Sequence, residues 1–365
     1  MTKTLFLFIA LCLVASPLFS QEEETEYFPF QFSFFYPIGT SGTNSPEKDY
    51  SLSFNIISGI TGSVNGFELG GLFNTNKKNM FGIQIGGIGN HTFGNVDAIQ
   101  CGGIYNIVHH DVTGFQAGGL INLVGGESSG IQVAGIANLT GLDAQVQLGG
   151  VLNVADNISG LQVAGIENIA DTVTGFQIAG LVNNATYVNG IQLAGLVNVC
   201  DSIDGLPIAL FSYVKKNGYR RFEISSNETF YVNMGYKIGV KRFYTILQFG
   251  LNTDHSPYYS GIGVGAGTNY TLKNKLSVDV EAMSFYVQDN WSWEENNTLI
   301  VLRGHMAYNF SERLALYAGP SLNLLVAENH DDLENISPSW AGEIETPHNT
   351  DYHGAWVGFN AGIRF

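Results

Sequence analysis

Between Gly66 and Asn198, apolar and amide side chains recur in one fixed order, roughly G-x-Q-x-A/G-G-x-x-N, nine times over. The clearest copies are Gly130–Asn138, Gly160–Asn168 and Gly175–Asn183. The amide positions are Gln84, Gln100, Gln116, Gln132, Gln147, Gln162, Gln177 and Gln192, with Glu68 in the first copy. Asparagine keeps step at Asn74, Asn90, Asn106, Asn122, Asn138, Asn153, Asn168, Asn183 and Asn198. The period is 16 residues up to Gln132 and 15 after it. Apolar residues flank each Gln, stand four beyond it, and precede the next Gly. In the copy at Gly175 these are Phe176, Ile178 and Leu181, entered by Val173. No helical stripe of period 3.6 fits, and the glycines in every copy oppose a helix, so the array is predicted to be β.

Two β arrangements compete. In a parallel β-solenoid each copy is one coil, and identical residues stack ~4.8 Å apart. That arrangement gives hydrogen-bonded Gln and Asn ladders, Ala-Gly corners and an expected core of Ile, Leu, Val and Phe. In the alternative, the repeats are strands of one large antiparallel transmembrane barrel, with Ile131 and Val133 toward lipid and Gln132 and Asn138 inward. Turn chemistry favours the solenoid. A meander centres its hairpin on Thr172–Val173, where tight hairpins want Gly, Asn or Asp, and it sets glycine in the middle of each strand. The discriminating neighbour of Gln132 is Gln147 in a stack and Asn153 in a meander.

Before the array, Phe28, Phe30, Phe32 and Phe34 alternate along one predicted strand, and Ser51–Ile57 forms another. After it the phrase fades at Gly205–Tyr213, where Pro207 takes the glutamine position. Composition then changes and eight strands are predicted, from Arg221–Ser226 through Thr229–Val240, Phe243–Leu251, Tyr259–Leu272, Lys275–Val287, Thr298–Phe310 and Arg313–Ala327 to Ala355–Phe365. Short polar turns at one end, and a long acidic loop over Glu328–Tyr352 at the other, follow the outer-membrane barrel pattern. Phe365 ends an alternating strand as a barrel-assembly signal would. The chain thus divides into a signal peptide (1–20), N-terminal strands (21–65), the repeat array (66–213) and a β-barrel-like domain (214–365). The fold class is all-β, a nine-copy array read as a parallel β-solenoid followed by an antiparallel β-barrel.

Composition narrows the function. The net charge of −16, and the absence of any Lys or Arg from Asn79 to Val214, argue against nucleic acid as a partner. The opening, Lys3 followed by an apolar run from Leu5 to Ala15, reads as a secretory signal cleaved near Ser20–Gln21. Cys101 and Cys200 lie six copies apart, beyond disulfide reach in any stacked or meandering array.

The F-P-F-Q-F-S-F-F-Y-P-I-G-T-S-G opening (Phe28–Gly42), the S-F-N-I-I-S-G strand (Ser53–Gly59) and the G-F-Q-I-A-G-L-V-N copies carry a resemblance. Over roughly Tyr27–Tyr213 the chain resembles the bacterial surface repeat-containing proteins of spirochaetes and related Gram-negative bacteria. The resemblance implies envelope or surface exposure without an established enzymatic activity. The aromatic C-terminal segment departs from the shorter members of that family.

Candidate chemistry is sparse. The Gln and Asn rows are read as structural ladders in preference to a glycan-binding face. His109, His110 and Asp111 share a turn, and so do His330, Asp331, Asp332 and Glu334, yet both sets read as solvated turns rather than metal sites. The run Gly261–Gly267 imitates a dinucleotide fingerprint without its βαβ setting and is read as a glycine-rich strand. No nucleophile elbow in a strand–turn–helix setting and no H-E-x-x-H occurs, so no enzymatic activity and no cofactor are expected. The expected role is that of an exported outer-membrane or cell-surface repeat protein, structural or adhesive. Its partners would be the outer membrane, the barrel-assembly machinery, and a surface glycan or host protein. A porin-like channel, or an outer-membrane enzyme with its site in the C-terminal loops, are the alternatives.

Overall fold

A computed structural model of the chain describes residues 27–253, 258–273, 275–289, 297–311, 313–344 and 352–365. The expected signal peptide lies outside the described residues. The chain divides into two compact units, Met1–Gly205 and Leu206–Phe365. The boundary falls within the strand Val197–Ile208, a few residues earlier than the sequence places it.

The first unit is a parallel β-solenoid. Gln132 pairs with Gln147 and Asn138 with Asn153, one coil apart, so the repeats are not strands of a transmembrane barrel. The strand Tyr27–Phe35 pairs in parallel with Asp49–Asn55, which pairs in parallel with Val64–Gly70. The N-terminal strands are therefore coils of the same stack, which runs to about 11 turns rather than nine. Gln31 and Ser53 stand in register with Glu68 and Gln84. The degenerate side chains of the first two coils hid them from the repeat pattern.

The change of period has a visible consequence. A 16-residue coil is two strands broken by a turn, as in Tyr105–Val108 and Val112–Gly118 on either side of His109–Asp111. Where the period is 15 the turn first shortens to Ala155–Asp156 and then vanishes, Glu167–Ala179 and Val182–Ala194 running as unbroken 13-residue strands. In the longer coils the Oδ1 atoms of Asn79, Asn95 and Asp111 each accept the backbone N–H of the equivalent residue one coil on, at 2.8, 3.1 and 2.8 Å.

The solenoid interior reverses the expected core. Gln84 through Gln192 and Asn90 through Asn183 are completely buried, while Ile131 and Phe176 are 44% and 50% exposed. The residues flanking Gln and the one four beyond it point outward. Only the fourth apolar position, Val112, Ile158, Val173, Val188 and Ile203, faces in, beside alanines such as Ala164 and Ala179. The reason is the period-two alternation of a strand: with Gln inward, its two neighbours must face out. Glutamine is accommodated because its polar atoms find partners in the stack.

Those partners form two rows. Each Gln donates Nε2–H to Oε1 of the Gln one coil earlier, over 2.6–3.1 Å. Each Asn donates Nδ2–H the other way, to Oδ1 of the Asn one coil later, over 2.8–3.0 Å. Its second hydrogen closes on a backbone carbonyl, for instance Asn168 to Ile178 O at 2.6 Å and Asn183 to Leu193 O at 2.8 Å. Glu68 begins the glutamine row as a pure acceptor, taking Nε2–H of Gln84 at 2.7 Å and Nδ2–H of Asn76 at 2.8 Å. At the other end Oε1 of Gln192 has no partner, the next position in the sequence being Pro207. Backbone spacing at the corner depends on glycine: a Cβ on Gly180 would stand 2.1 Å from Gly165 O.

The second unit contains an antiparallel sheet whose eight long strands are Tyr219–Ser226, Val232–Val240, Phe243–Asn252, Tyr259–Lys273, Leu276–Asp289, Asn297–Asn309, Ala315–Ala327 and Tyr352–Arg364. Each pairs with the next, and the last pairs back onto the first through Glu223↔Arg364 and Ile224↔Ile363, which closes a barrel. Gly261–Gly267 lies inside one of these strands, as expected. The segment expected to be a long acidic loop carries a helix at His330–Ile336 and a short strand at Gly342–Ile344. No helix among the described residues is long and apolar enough to cross a membrane.

Candidate functional site: the charged interior of the barrel

The barrel strands alternate, and the alternation is inverted relative to a soluble protein. Met234, Ile262, Val264, Ile300, Leu302 and Val357 stand 45–64% exposed on the outside. On the inside the half nearer the long connections is apolar, packed with Phe230, Phe285, Val287, Leu299 and Leu325. The half nearer the short turns holds Glu223, Lys237, Asp279, Glu281, Arg303, His305 and Arg364, each 2% exposed or less.

These charges are mutually satisfied. Lys237 Nζ bonds Glu223 Oε1 at 2.8 Å and also Glu281 Oε1. Arg303 Nε donates to Glu281 Oε2 at 2.8 Å, and Arg364 bridges Glu223 and Asp279, the latter at 2.7 Å. Hydroxyls and amides complete the carboxylate shells: Tyr244 to Glu281 at 2.7 Å, Asn269 to Asp279 at 2.7 Å, Tyr317 to Glu223 at 3.2 Å. Three carboxylates meet three cations, so the network is neutral with His305 uncharged. That balance is what permits burial, since an unpaired charge in this setting would be very costly.

Oxygen and nitrogen atoms of Asp279, Glu281 and His305 lie within 4.8 Å of one another, the spacing of a metal site. The surroundings do not suit one. Both carboxylates are already committed to Lys237, Arg303 and Arg364, and a divalent ion there would add charge to a balanced set. Both ring nitrogens of His305, and Nη2 of Arg303, have no protein partner, and the His305 ring lies 4.8 Å from that of Tyr317. The network is best described as a plug that links the strands across the lumen.

None of these residues belongs to the repeat or to a recognised motif. Their signal was the alternation V-D-V-E at Val278–Glu281 and R-G-H at Arg303–His305, where charges replace every second residue inside strands. The other candidates fall as follows. The Gln and Asn rows are buried ladders. His109 leaves its turn to place Nε2 at 2.8 Å from Nε2 of His91 on the neighbouring coil, with Phe93 stacked on both rings. His330 sits near Glu334 and Glu343 at 3.7 and 3.5 Å, all three well exposed. Phe365 closes the barrel seam, exchanging backbone hydrogen bonds with Phe222 at 2.8 and 3.1 Å. Cys101 and Cys200 are unbridged. No family model and no curated protein sequence matches this chain.

Proposed function

We propose that the chain is an exported, non-enzymatic surface protein of a Gram-negative envelope, with Leu206–Phe365 seated in the outer membrane and the solenoid as a structural or adhesive module. One observation carries this reading: the barrel is apolar outside and buries an ionic network in the half of its lumen nearer the short turns. A soluble protein does not normally leave so continuous an apolar belt open to water. The belt is also zoned as a membrane requires. Aliphatic residues occupy its middle, and aromatics gather at the rims, with Tyr270, Tyr308, Phe310 and Phe365 at the short-turn end and Tyr231, Tyr258, Trp340 and Tyr352 at the other. Strands of 8 to 15 residues suit a tilted crossing, which takes about ten.

Within this reading Phe365 is the residue presented to the barrel-assembly machinery. The plugged lumen supports an anchor rather than a porin-like channel, since eight-stranded barrels are filled by their own side chains. The solenoid, uncharged by Lys or Arg from Asn79 to Val214 and faced with rows of Ile, Leu and Phe, offers a long contact surface to glycan or protein partners. The test is fractionation with gel mobility. The full chain should remain with membranes after high-salt and carbonate washing and should shift mobility on boiling. Release by salt alone would overturn the assignment, and steady single-channel currents in a planar bilayer would favour the channel.

A further inference from the structure

The charges of the barrel unit are sorted by end. Apart from the three buried in the lumen, every Lys and Arg after Gly205 lies at the short-turn end, in the lead-in 214–221, the turn Lys241–Arg242, the pair Lys273 and Lys275, and at Arg313. Nine cations gather there against one carboxylate in the sequence, Glu312, which lies outside the described residues. The sequence of the long connections holds twelve carboxylates, five of them outside the described residues, and no Lys or Arg. Because the lumen network is neutral within itself, nothing inside the barrel offsets the positive field of the short-turn mouth.

That mouth contains a cavity of about 430 Å³, within the size range of small-ligand pockets. Arg221, Lys241 and Lys275 line it, with Arg364 at its floor held by Glu223 and Asp279. The remaining lining includes the hydroxyls of Thr271 and Ser277, with Asn269 donating to Asp279 and Asn309 to Lys275 O and Ser277 Oγ, and carries no carboxylate among the described residues. Tyr219 also lines it, and its buried hydroxyl has no partner. Cations converging from three different segments, with hydroxyl donors between them, match a multiply charged tetrahedral oxyanion better than a planar carboxylate. We propose that this mouth is a binding site for a phosphate group, carried either on free phosphate or on the headgroup of an anionic phospholipid. The inference rests on the barrel and its charges and holds whether or not the barrel is inserted in a membrane.

The test uses the full chain in a non-ionic detergent. Inorganic phosphate is titrated calorimetrically at fixed ionic strength against a chloride control, and retention of phosphatidylglycerol over phosphatidylcholine is read by native mass spectrometry. Lys241 and Lys275 are exposed, so the Lys241→Ala/Lys275→Ala variant should keep its circular dichroism and its heat-dependent gel mobility. Saturable one-to-one phosphate binding that weakens at least tenfold in the variant supports the site with a free anion as its source. Selective retention of phosphatidylglycerol that the variant loses supports it with a lipid source. Phosphate indistinguishable from chloride with no lipid retained, or either ligand bound equally by the variant, overturns it.

Discussion

Replacing Gln177 by Ala should destabilise the solenoid far more than replacing its neighbour Phe176 by Ala. Gln177 donates to Oε1 of Gln162 at 2.9 Å and accepts from Nε2 of Gln192 at 2.8 Å, and all three side chains are fully buried. Truncation orphans both neighbours, and each stranded buried polar group costs about 1–3 kcal/mol. The pair therefore comes to about 2–6 kcal/mol, before any loss from the vacated volume. Gln192 is the more vulnerable of the two, because its Oε1 has no partner to begin with. Phe176 is 50% exposed. With full burial of a Phe contributing about 1.5–3 kcal/mol, half burial puts its truncation near 1 kcal/mol. In an ordinary apolar core the order would be reversed, with Phe→Ala costing about 3–5 kcal/mol. Urea unfolding of the full chain, followed by circular dichroism together with amide exchange of Glu167–Ala179 and Val182–Ala194, reads both variants in the same coils. A Phe176→Ala loss equal to or larger than that of Gln177→Ala would refute the polar-core account.

Other expectations follow from the same geometry. Gly180→Ala drives a methyl into the backbone carbonyl of Gly165, 2.1 Å away, and should cost at least the ~1–3 kcal/mol of core overpacking, seen as a lowered urea midpoint. Burial, reinforced by His109 and Lys77, lowers His91 to about 4 from 6.5, and burial lowers His109 as well. The unfolded chain therefore binds more protons in that interval, and stability contributed by neutral histidine is lost as pH falls from 6.5 toward 4. A His91→Asn/His109→Asn variant should show a flatter melting-temperature profile over that range, and a parallel profile would contradict the assignment. In the barrel, Lys237→Met leaves Glu223 and Glu281 short of a cation and should cost about 3–5 kcal/mol, whereas adding Glu281→Gln should recover part of the loss. The temperature at which gel mobility shifts measures both.

The repeat disclosed its coils and their register because stacking identical residues is a one-dimensional rule that spacing alone records. It did not disclose which side of the sheet faced inward. Alternation fixes only that Gln177 and Phe176 lie on opposite faces, and the choice between them is made by partners one coil away. Habit assigns the aromatic to the interior; the ladders reverse it. The eight barrel strands were legible for a similar reason, since each alternates strongly and is bounded by a turn. The ion network was not, because Glu223, Lys237, Asp279, Glu281, Arg303 and Arg364 come from strands far apart in the chain and become a set only when the first and last strands meet. The sorting of charge between the two ends likewise needs the strand directions before it can be seen.

The opposed directions of the two amide rows have a further consequence for length. A row of side-chain amides pointing one way adds dipole moment with every coil, as peptide units do along a helix. In this stack each coil contributes one Gln amide aimed at its predecessor and one Asn amide aimed at its successor, so the axial contributions largely cancel. Inserting or deleting a coil then changes the reach of the solenoid without building up field at its ends, while the glutamine row keeps an acceptor at its first position, Glu68, and an idle acceptor at its last, Gln192.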